Sequence, residues 1–173
     1  MAFVILHSGE LEPFEILKLD GTGFDRVACL PVVPVTVTGL AKDGSWIDHV
    51  NERALIDTGA DTTHIETSFA DDLDLEVAEE AWAGDGAQRR RVPAYRITLT
   101  ITGPGGDSHD WTVTAPIREI QSGYSRSFRI LIGADVLADC RLTCDGTIGP
   151  DITWPDGTVA PVGMFTLELP SCA

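Results

Sequence analysis

The sequence is poor in positive charge: 12 lysines and arginines stand against 27 aspartates and glutamates, so the net charge is −15 over 173 residues. Such a surface repels the phosphates of nucleic acids and of anionic lipids, so neither nucleic acid nor a membrane is an expected partner. No run reaches the roughly 18 apolar residues of a membrane span. Residues 1–7 carry neither a basic leader nor a long apolar core, which favours a cytoplasmic protein over a secreted one.

Cysteine and histidine, which most often bind transition metals, are also scarce. There are four of each, scattered along the chain: Cys29, Cys140, Cys144 and Cys172, with His7, His49, His64 and His109. Cys140 and Cys144 lack a second pair at the spacing of a zinc site. Buried free thiols are the preferred interpretation, with metal ligation as the alternative, and we expect no cofactor.

The chain is instead rich in short apolar segments of period two. Valines alternate with proline and threonine over 33–38, and the segments 97–102 and 110–116 alternate in the same way. Such alternation is typical of half-buried β-strands. Together with a hydrophobic fraction of 43%, it predicts an all-β fold with one or two short helices.

We expect one main domain preceded by an extension. Residues 1–30 form the predicted N-terminal extension, which could be a propeptide, a regulatory arm or a structural strand pair. Residues 31–173 form the predicted main domain, which is long enough for a substantial core. Within it a short helix is predicted at 67–73, capped by Thr67 or Ser68.

The segment 54–65, ALIDTGADTTHI, is the first motif with chemical content. Its apolar start predicts a buried strand that breaks at Asp57, Thr58 and Gly59. A carboxylate at the inner end of such a strand is costly to bury unless its oxygens are hydrogen-bonded or share a proton. Thr58 and the amides around Gly59 can supply those bonds, although Asp-Thr-Gly by itself is also a common turn sequence.

A second apolar strand ends at a glycine further along the chain. The segment 128–137, FRILIGADVL, places Gly133 after Ile132 and Asp135 at the start of an expected helix. Together the two segments resemble the paired signatures of the retropepsins, the single-domain branch of the aspartic proteases. In that family the second segment packs beneath the catalytic loop, so Ile132, Gly133 and Asp135 are expected to form the structural second motif of a protease domain over 31–173.

The resemblance implies a retropepsin-like β-barrel with a flap hairpin and the activity of an aspartic endopeptidase. Asp57 is then the catalytic residue, and Thr58 and Gly59 support it. Ala60 and Asp61 are expected to line the groove for a polypeptide substrate.

The resemblance also implies a flap, a hairpin that closes over the substrate and bonds its backbone. The expected tip is Gly84, Asp85 and Gly86, between arms at 75–83 and 89–102, and these three residues are assigned to substrate binding. From the tip alone an ordinary surface hairpin is an equally good interpretation. The position between the two motifs favours the flap.

The chemistry of this family needs two carboxylates that face one water, and the chain has one good Asp-Thr-Gly. The resemblance therefore implies a homodimer in which Asp57 meets its mate on a two-fold axis, without a metal. The strand at 164–169 could join an interface sheet or stay within its own chain. Many retroviral members have arginine where this chain has Ala134, paired with the aspartate that is Asp61 here, so that pairing is lost or supplied elsewhere.

Two other interpretations stay open. One is a catalytically inactive retropepsin-fold module for peptide binding or assembly, favoured by Ala134 and by the acidic tip at 84–86. The other treats both motifs as coincidental turns in an unrelated β-sandwich. Cleavage that depends on Asp57 distinguishes the protease from both.

Overall fold

Strands dominate the structure, a computed structural model that describes residues 3–17, 24–84, 89–118, 128–154 and 157–170. It is 63% strand and 7% helix, which confirms the predicted all-β class with two short helices. In chain order the described elements are β1 (Phe3–Glu10), β2 (Glu12–Leu17), β3 (Phe24–Leu30), β4 (Val32–Leu40), β5 (Trp46–Ile56), β6 (His64–Glu66), α1 (Thr67–Asp72), β7 (Glu79–Ala83), β8 (Arg90–Thr102), β9 (Ser108–Arg118), β10 (Ile130–Ile132), α2 (Ala134–Leu137), β11 (Arg141–Asp145), β12 (Asp151–Thr153), β13 (Val159–Pro161) and β14 (Met164–Pro170).

Six strands close into a barrel around the main core. Their order is β4-β5-β10-β6-β9-β8, and β8 pairs back with β4 to close the ring. The pairs β5–β10 and β6–β9 are parallel, whereas the other pairs are antiparallel. Because β5 and β10 are parallel, their ends lie side by side. The long connection that parallel neighbours need separates them in sequence.

The long strand β8 closes the barrel because one of its edges pairs with two different strands. Residues 90–94 pair with β7 and residues 97–100 pair with β4, while the other edge pairs with β9 from Ala94 to Thr102. Alternation turns Ile97, Leu99 and Ile101 into the core, where each is at most 1% exposed. The strand predicted from period two is confirmed here, and burial of these side chains stabilises the ring closure.

The helix predicted at 67–73 is present as α1, but its predicted cap is wrong. Glu66 is the N-cap residue, and no side chain makes a capping hydrogen bond. Phe69 and Ala70 are buried, so packing holds this turn, which is too short to be stable alone. In the described part of the chain no helix has the length and apolar character to cross a membrane.

A second sheet of three strands packs beside the barrel, in the order β1-β14-β11. Its central strand β14 confirms the strand predicted at 164–169 and is antiparallel to both neighbours. Phe165 and Leu167 project from β14 into the same core as the barrel residues. Of the two roles considered for this segment, the structure has the intramolecular one, and β14 offers no free edge to a second subunit.

The first 30 residues contribute strands to two different sheets. β1 belongs to the three-stranded sheet, and β2 pairs with β3 in a separate hairpin. Arg53 in β5 forms an ion pair with Glu12 at the start of β2, which attaches the hairpin to the barrel. The division of the chain at residue 30 stays a prediction.

Candidate functional site

Asp57 directly follows β5, at the end of the barrel where β5 and β10 stop together. Its amide donates to the Ile132 carbonyl (N···O 3.0 Å) and so extends the parallel pairing by one residue. The Gly59 amide donates to Asp57 Oδ1 at 3.0 Å, and the Ala60 amide donates to the Asp57 carbonyl at 3.1 Å. The half-buried carboxylate is therefore held on one oxygen by the loop, as expected for the amides around Gly59.

The second motif packs directly against this loop. A Cβ atom at Gly133 would lie 2.3 Å from the carbonyl carbon of Thr62. The Ala134 amide donates to the Ala60 carbonyl at 2.9 Å. Since only glycine permits such an approach, the two motifs form one structural unit, which we call the paired loops: residues 57–63 and 132–135.

Asp135 joins the paired loops a second time, through Thr63. The amide and the hydroxyl of Thr63 both donate to Asp135 Oδ1 at 2.8 Å. The Thr63 hydroxyl also accepts a hydrogen bond from the Gly133 amide at 3.2 Å, and Thr63 is fully buried. Sequence reasoning gave Asp135 a structural role but missed Thr63, whose partner is 72 residues away.

Replacement of Asp135 by alanine should destabilise the protein, because it leaves two buried donors of Thr63 without their acceptor. Each unsatisfied buried donor costs about 1–3 kcal/mol. Asp135→Asn keeps an acceptor oxygen and should lose clearly less. Urea unfolding measures the difference as a shift in midpoint at constant slope, and equal losses for the two variants would contradict this role of the carboxylate.

The other predicted loop residues face solvent, with one exception. Thr58, Gly59 and Asp61 are exposed, whereas Ala60 is only 9% exposed. Among the described residues Asp61 has no ion-pair partner and Thr58 makes no side-chain hydrogen bond. In this part of the chain, therefore, no cationic side chain pairs with Asp61 in place of the arginine that is absent at position 134.

Arg129, at the start of the second motif, binds carboxylates elsewhere. Its guanidinium donates to Glu52 at 2.6 Å and to Asp72 at 2.8 Å, and it lies 4.8 Å from the centroid of the Phe69 ring. Glu52 is 8% exposed and also contacts His49 Nε2 at 3.0 Å. This cluster connects β5 and the residue before β10 to α1, and so stabilises the strands that lead into the paired loops.

The Glu52 carboxylate should make the fold less stable in acid. Burial disfavours its charge, but hydrogen bonds from Arg129 and the Arg53 amide, with the charges of Arg129 and His49, outweigh burial and hold the pKa of Glu52 below its ordinary 4.5. A carboxylate with a lowered pKa stabilises the fold above its ordinary value, and this contribution is lost as the pH falls through the folded-state pKa.

We therefore expect unfolding free energy to fall below about pH 4.5 and Glu52→Gln to reduce that dependence. Urea unfolding at several pH values on either side of this point measures it for both proteins. The same acid sensitivity in the variant would show that other groups are responsible. The matched exposed carboxylate Glu80, which pairs with Arg91 at the surface, serves as control.

A row of apolar side chains lies on the barrel face that carries Asp57. Leu55 is two residues before Asp57 and shares its face, and strand register places Val32 and Leu131 on either side of Leu55. These three side chains are at most 9% exposed and cluster with Phe128. Sequence reasoning did not single them out, although their places in the two motif strands were available as a signal.

The β7–β8 hairpin is present between the two motifs, where the flap was predicted. Gly84 follows β7 with φ of 132°, a conformation that residues with a side chain rarely adopt. Asp85 and Gly86, the rest of the predicted tip, lie outside the described residues. Of the hairpin's two faces one is covered, with Val92 at 5% exposure, and the other is open, with Trp82 at 64%. Closure over a substrate stays a prediction.

The cysteines lie apart from one another and from the histidines in the described structure. In the described ranges no three His, Cys, Asp or Glu side chains come together as a metal site would require. Cys29, Cys140 and Cys144 are free thiols, but none is fully buried as predicted: Cys29 and Cys140 are partly buried, and Cys144 is exposed on the edge strand β11. Burial, aided by the charge of Asp139, raises the pKa of Cys140 to about 11. Cys172 lies outside the described residues.

Comparison with known proteins does not assign the chain to a family. No protein-family model matches the chain, and no curated protein is significantly similar to it.

Proposed function

We propose that the chain is a retropepsin-like aspartic endopeptidase that hydrolyses peptide bonds with a water activated by two Asp57 side chains in a homodimer. The joint geometry of Asp57 and Gly133 carries this proposal. The carboxylate stands at the end of a closed β-barrel, held by the Gly59 amide at 3.0 Å, and the glycine of the second motif packs against its loop. Coincidental turns would not require this close contact between two distant segments.

A water molecule between the two Asp57 carboxylates would be the nucleophile. Carboxylates a few ångström apart cannot both ionise easily, so the pair shares one proton and titrates as a unit. The ionised member takes a proton from the water, while the protonated member donates a hydrogen bond to the scissile carbonyl. The nitrogen of the broken bond then leaves with a proton from the pair, and no covalent enzyme intermediate forms.

A second subunit is required because each chain supplies a single Asp-Thr-Gly. Thr58 is exposed and makes no side-chain hydrogen bond to another described residue, which suits a hydroxyl that bonds across a two-fold axis. Gly59, Ala60 and Asp61 would line the groove. The β7–β8 hairpin would cover the bound polypeptide as a flap.

A cleavage assay on a mixture of peptides, run from acid to neutral pH with sedimentation of the same samples, tests the proposal. We expect the wild type to cleave as a dimer and Asp57→Asn to keep fold and dimer but lose cleavage. The asparagine has the same size, so its effect reports the lost acid–base chemistry. Cleavage that survives in Asp57→Asn would overturn the assignment.

A catalytically inactive peptide-binding or assembly module is the second candidate. It is favoured by the absence of an ion pair at Asp61 among the described residues and by alanine at position 134. A folded wild-type protein that binds peptides with equal affinity before and after Asp57→Asn, and cleaves none, would support it.

A further inference from the structure

Three consecutive arginines lie on the surface of this otherwise acidic protein. Arg89 directly precedes β8, and Arg90 and Arg91 are its first residues. All three are exposed. They belong to a set of 12 lysines and arginines that is outnumbered by 27 aspartates and glutamates, and the sequence has no other run of three basic residues.

These arginines lie on the part of the β7–β8 hairpin that extends past the barrel sheet. β9 pairs with β8 from Ala94 onwards, whereas residues 90–93 pair with β7. We call residues 81–84 and 89–92 the outer hairpin. Its described residues carry three arginines and no carboxylate, and the sequence of 85–88 adds one aspartate. The outer hairpin is therefore locally basic.

Trp82 gives the outer hairpin a large apolar surface beside these charges. It lies opposite Arg91 in the strand register, and the guanidinium carbon of Arg91 is 5.7 Å from the centroid of one of its rings. The side chain is 64% exposed, so it is not part of the core. A ligand that covered this indole would remove apolar area from water, which is favourable. Tryptophan and arginine are also the residues most enriched at the centres of protein interfaces.

The charges of the outer hairpin favour an acidic ligand. Guanidinium groups bind carboxylates through paired hydrogen bonds. Arg91 contacts Glu80 at 3.3 Å, but both side chains are more than 60% exposed, so a ligand carboxylate can replace Glu80 at little cost. At physiological ionic strength, charges more than about 8 Å away are largely screened. The net charge of −15 therefore does not prevent a short acidic segment from binding here.

A polypeptide fits this surface better than a nucleic acid does. A nucleic acid carries a phosphate at every residue, so a strand that extended beyond the three arginines would meet the acidic remainder of the protein. An acidic polypeptide segment can be short, and its apolar side chains can pack against Trp82.

We propose that the outer hairpin is a docking site for acidic segments of polypeptides, in which Arg89, Arg90 and Arg91 bind carboxylates and Trp82 packs against an apolar side chain between them. This inference concerns binding alone and does not depend on cleavage. In the proposed protease, the docked segment would lie outside the residues that flank the scissile bond and would recruit the substrate.

Fluorescence anisotropy of a short labelled peptide that alternates glutamate with leucine tests the proposal. Matched peptides have glutamine or lysine in place of glutamate. The parent is the full chain with Asp57→Asn, so that the peptide is not consumed. It should bind the glutamate peptide alone, with an affinity that falls as salt is added.

Substitutions in the outer hairpin locate the binding site. Arg89→Gln combined with Arg91→Gln should weaken binding about tenfold, and Trp82→Ala should have a similar effect. Arg141→Gln, at an exposed position on β11, is the control and should leave the affinity unchanged.

The outcomes bear on the outer hairpin and not on catalysis. A folded parent that does not bind the glutamate peptide, or equal affinity after loss of the two arginines, overturns the inference. Tighter binding of single-stranded DNA than of the peptide also overturns it, because the arginines would then serve phosphates. Should Trp82→Ala disturb the hairpin, the two-arginine variant still decides, since its exposed substitutions should leave the urea midpoint unchanged.

Discussion

An excess of Asp57→Asn subunits should lower the cleavage rate per wild-type chain far more than dilution of the wild-type protein does. Each proposed active site needs Asp57 from both subunits, so a mixed dimer has one carboxylate and cannot share a proton between two. After random subunit exchange, the chance that a wild-type chain finds a wild-type partner equals the wild-type share. A ninefold excess of variant should therefore lower the rate per wild-type chain about tenfold. Initial rates over a series of mixing ratios measure this curve.

The control for subunit mixing is a variant that leaves the site intact. Cys144 is exposed on the edge strand β11, and Cys144→Ser subunits should add their own activity in proportion to the total chain. A rate that does not respond to Asp57→Asn subunits, under conditions where sedimentation shows exchange, would mean that one chain forms a complete site.

Gly133→Ala should produce the largest loss of stability among single substitutions at the site. The new methyl group would stand 2.3 Å from the carbonyl carbon and 2.4 Å from the carbonyl oxygen of Thr62. Both are backbone atoms of the paired loops, so no side chain can rotate away, and the segment that carries Asp57 must move. We expect a loss of about 3 kcal/mol, the upper part of the usual range for overpacking, together with weaker cleavage.

Gly146→Ala is the matched control for this substitution. A Cβ at Gly146 meets no atom within 4 Å, so its effect should stay within about 0.5 kcal/mol. Denaturant midpoints for the two alanine variants compare them directly. Similar stability of both would show that the loop relaxes around position 133, and the claim that only glycine fits there would then fall.

Prediction from sequence worked where a local pattern reports burial. Period two marked Ile97, Leu99 and Ile101 correctly because alternate residues of a half-buried strand face the core. The same pattern could not say which strands lie beside β14, since alternation carries no information about partners. Adjacency of β5 and β10 was expected from the two motifs and not from periodicity.

Interactions between distant residues were the least accessible. Thr63 and Asp135 are 72 positions apart, and nothing in the neighbourhood of Thr63 distinguishes it from the threonines around it. His64 was counted only as a scattered histidine, because its place beside Leu131 follows from strand register. The cap of α1 was misassigned for a related reason: the chain enters the helix straight from β6, with extended Glu66 as the first flanking residue.

The central position of β14 separates folding from assembly. Because β1 and β11 both come from its own chain, β14 is paired on both edges without a second subunit. We therefore expect the subunits of the proposed dimer to separate without unfolding. The proposed active site then obeys mass action: at concentrations below the dissociation constant, activity per chain rises in proportion to the amount of protein present. Accumulation of the protein alone would then activate cleavage, and dilution would reverse the activation.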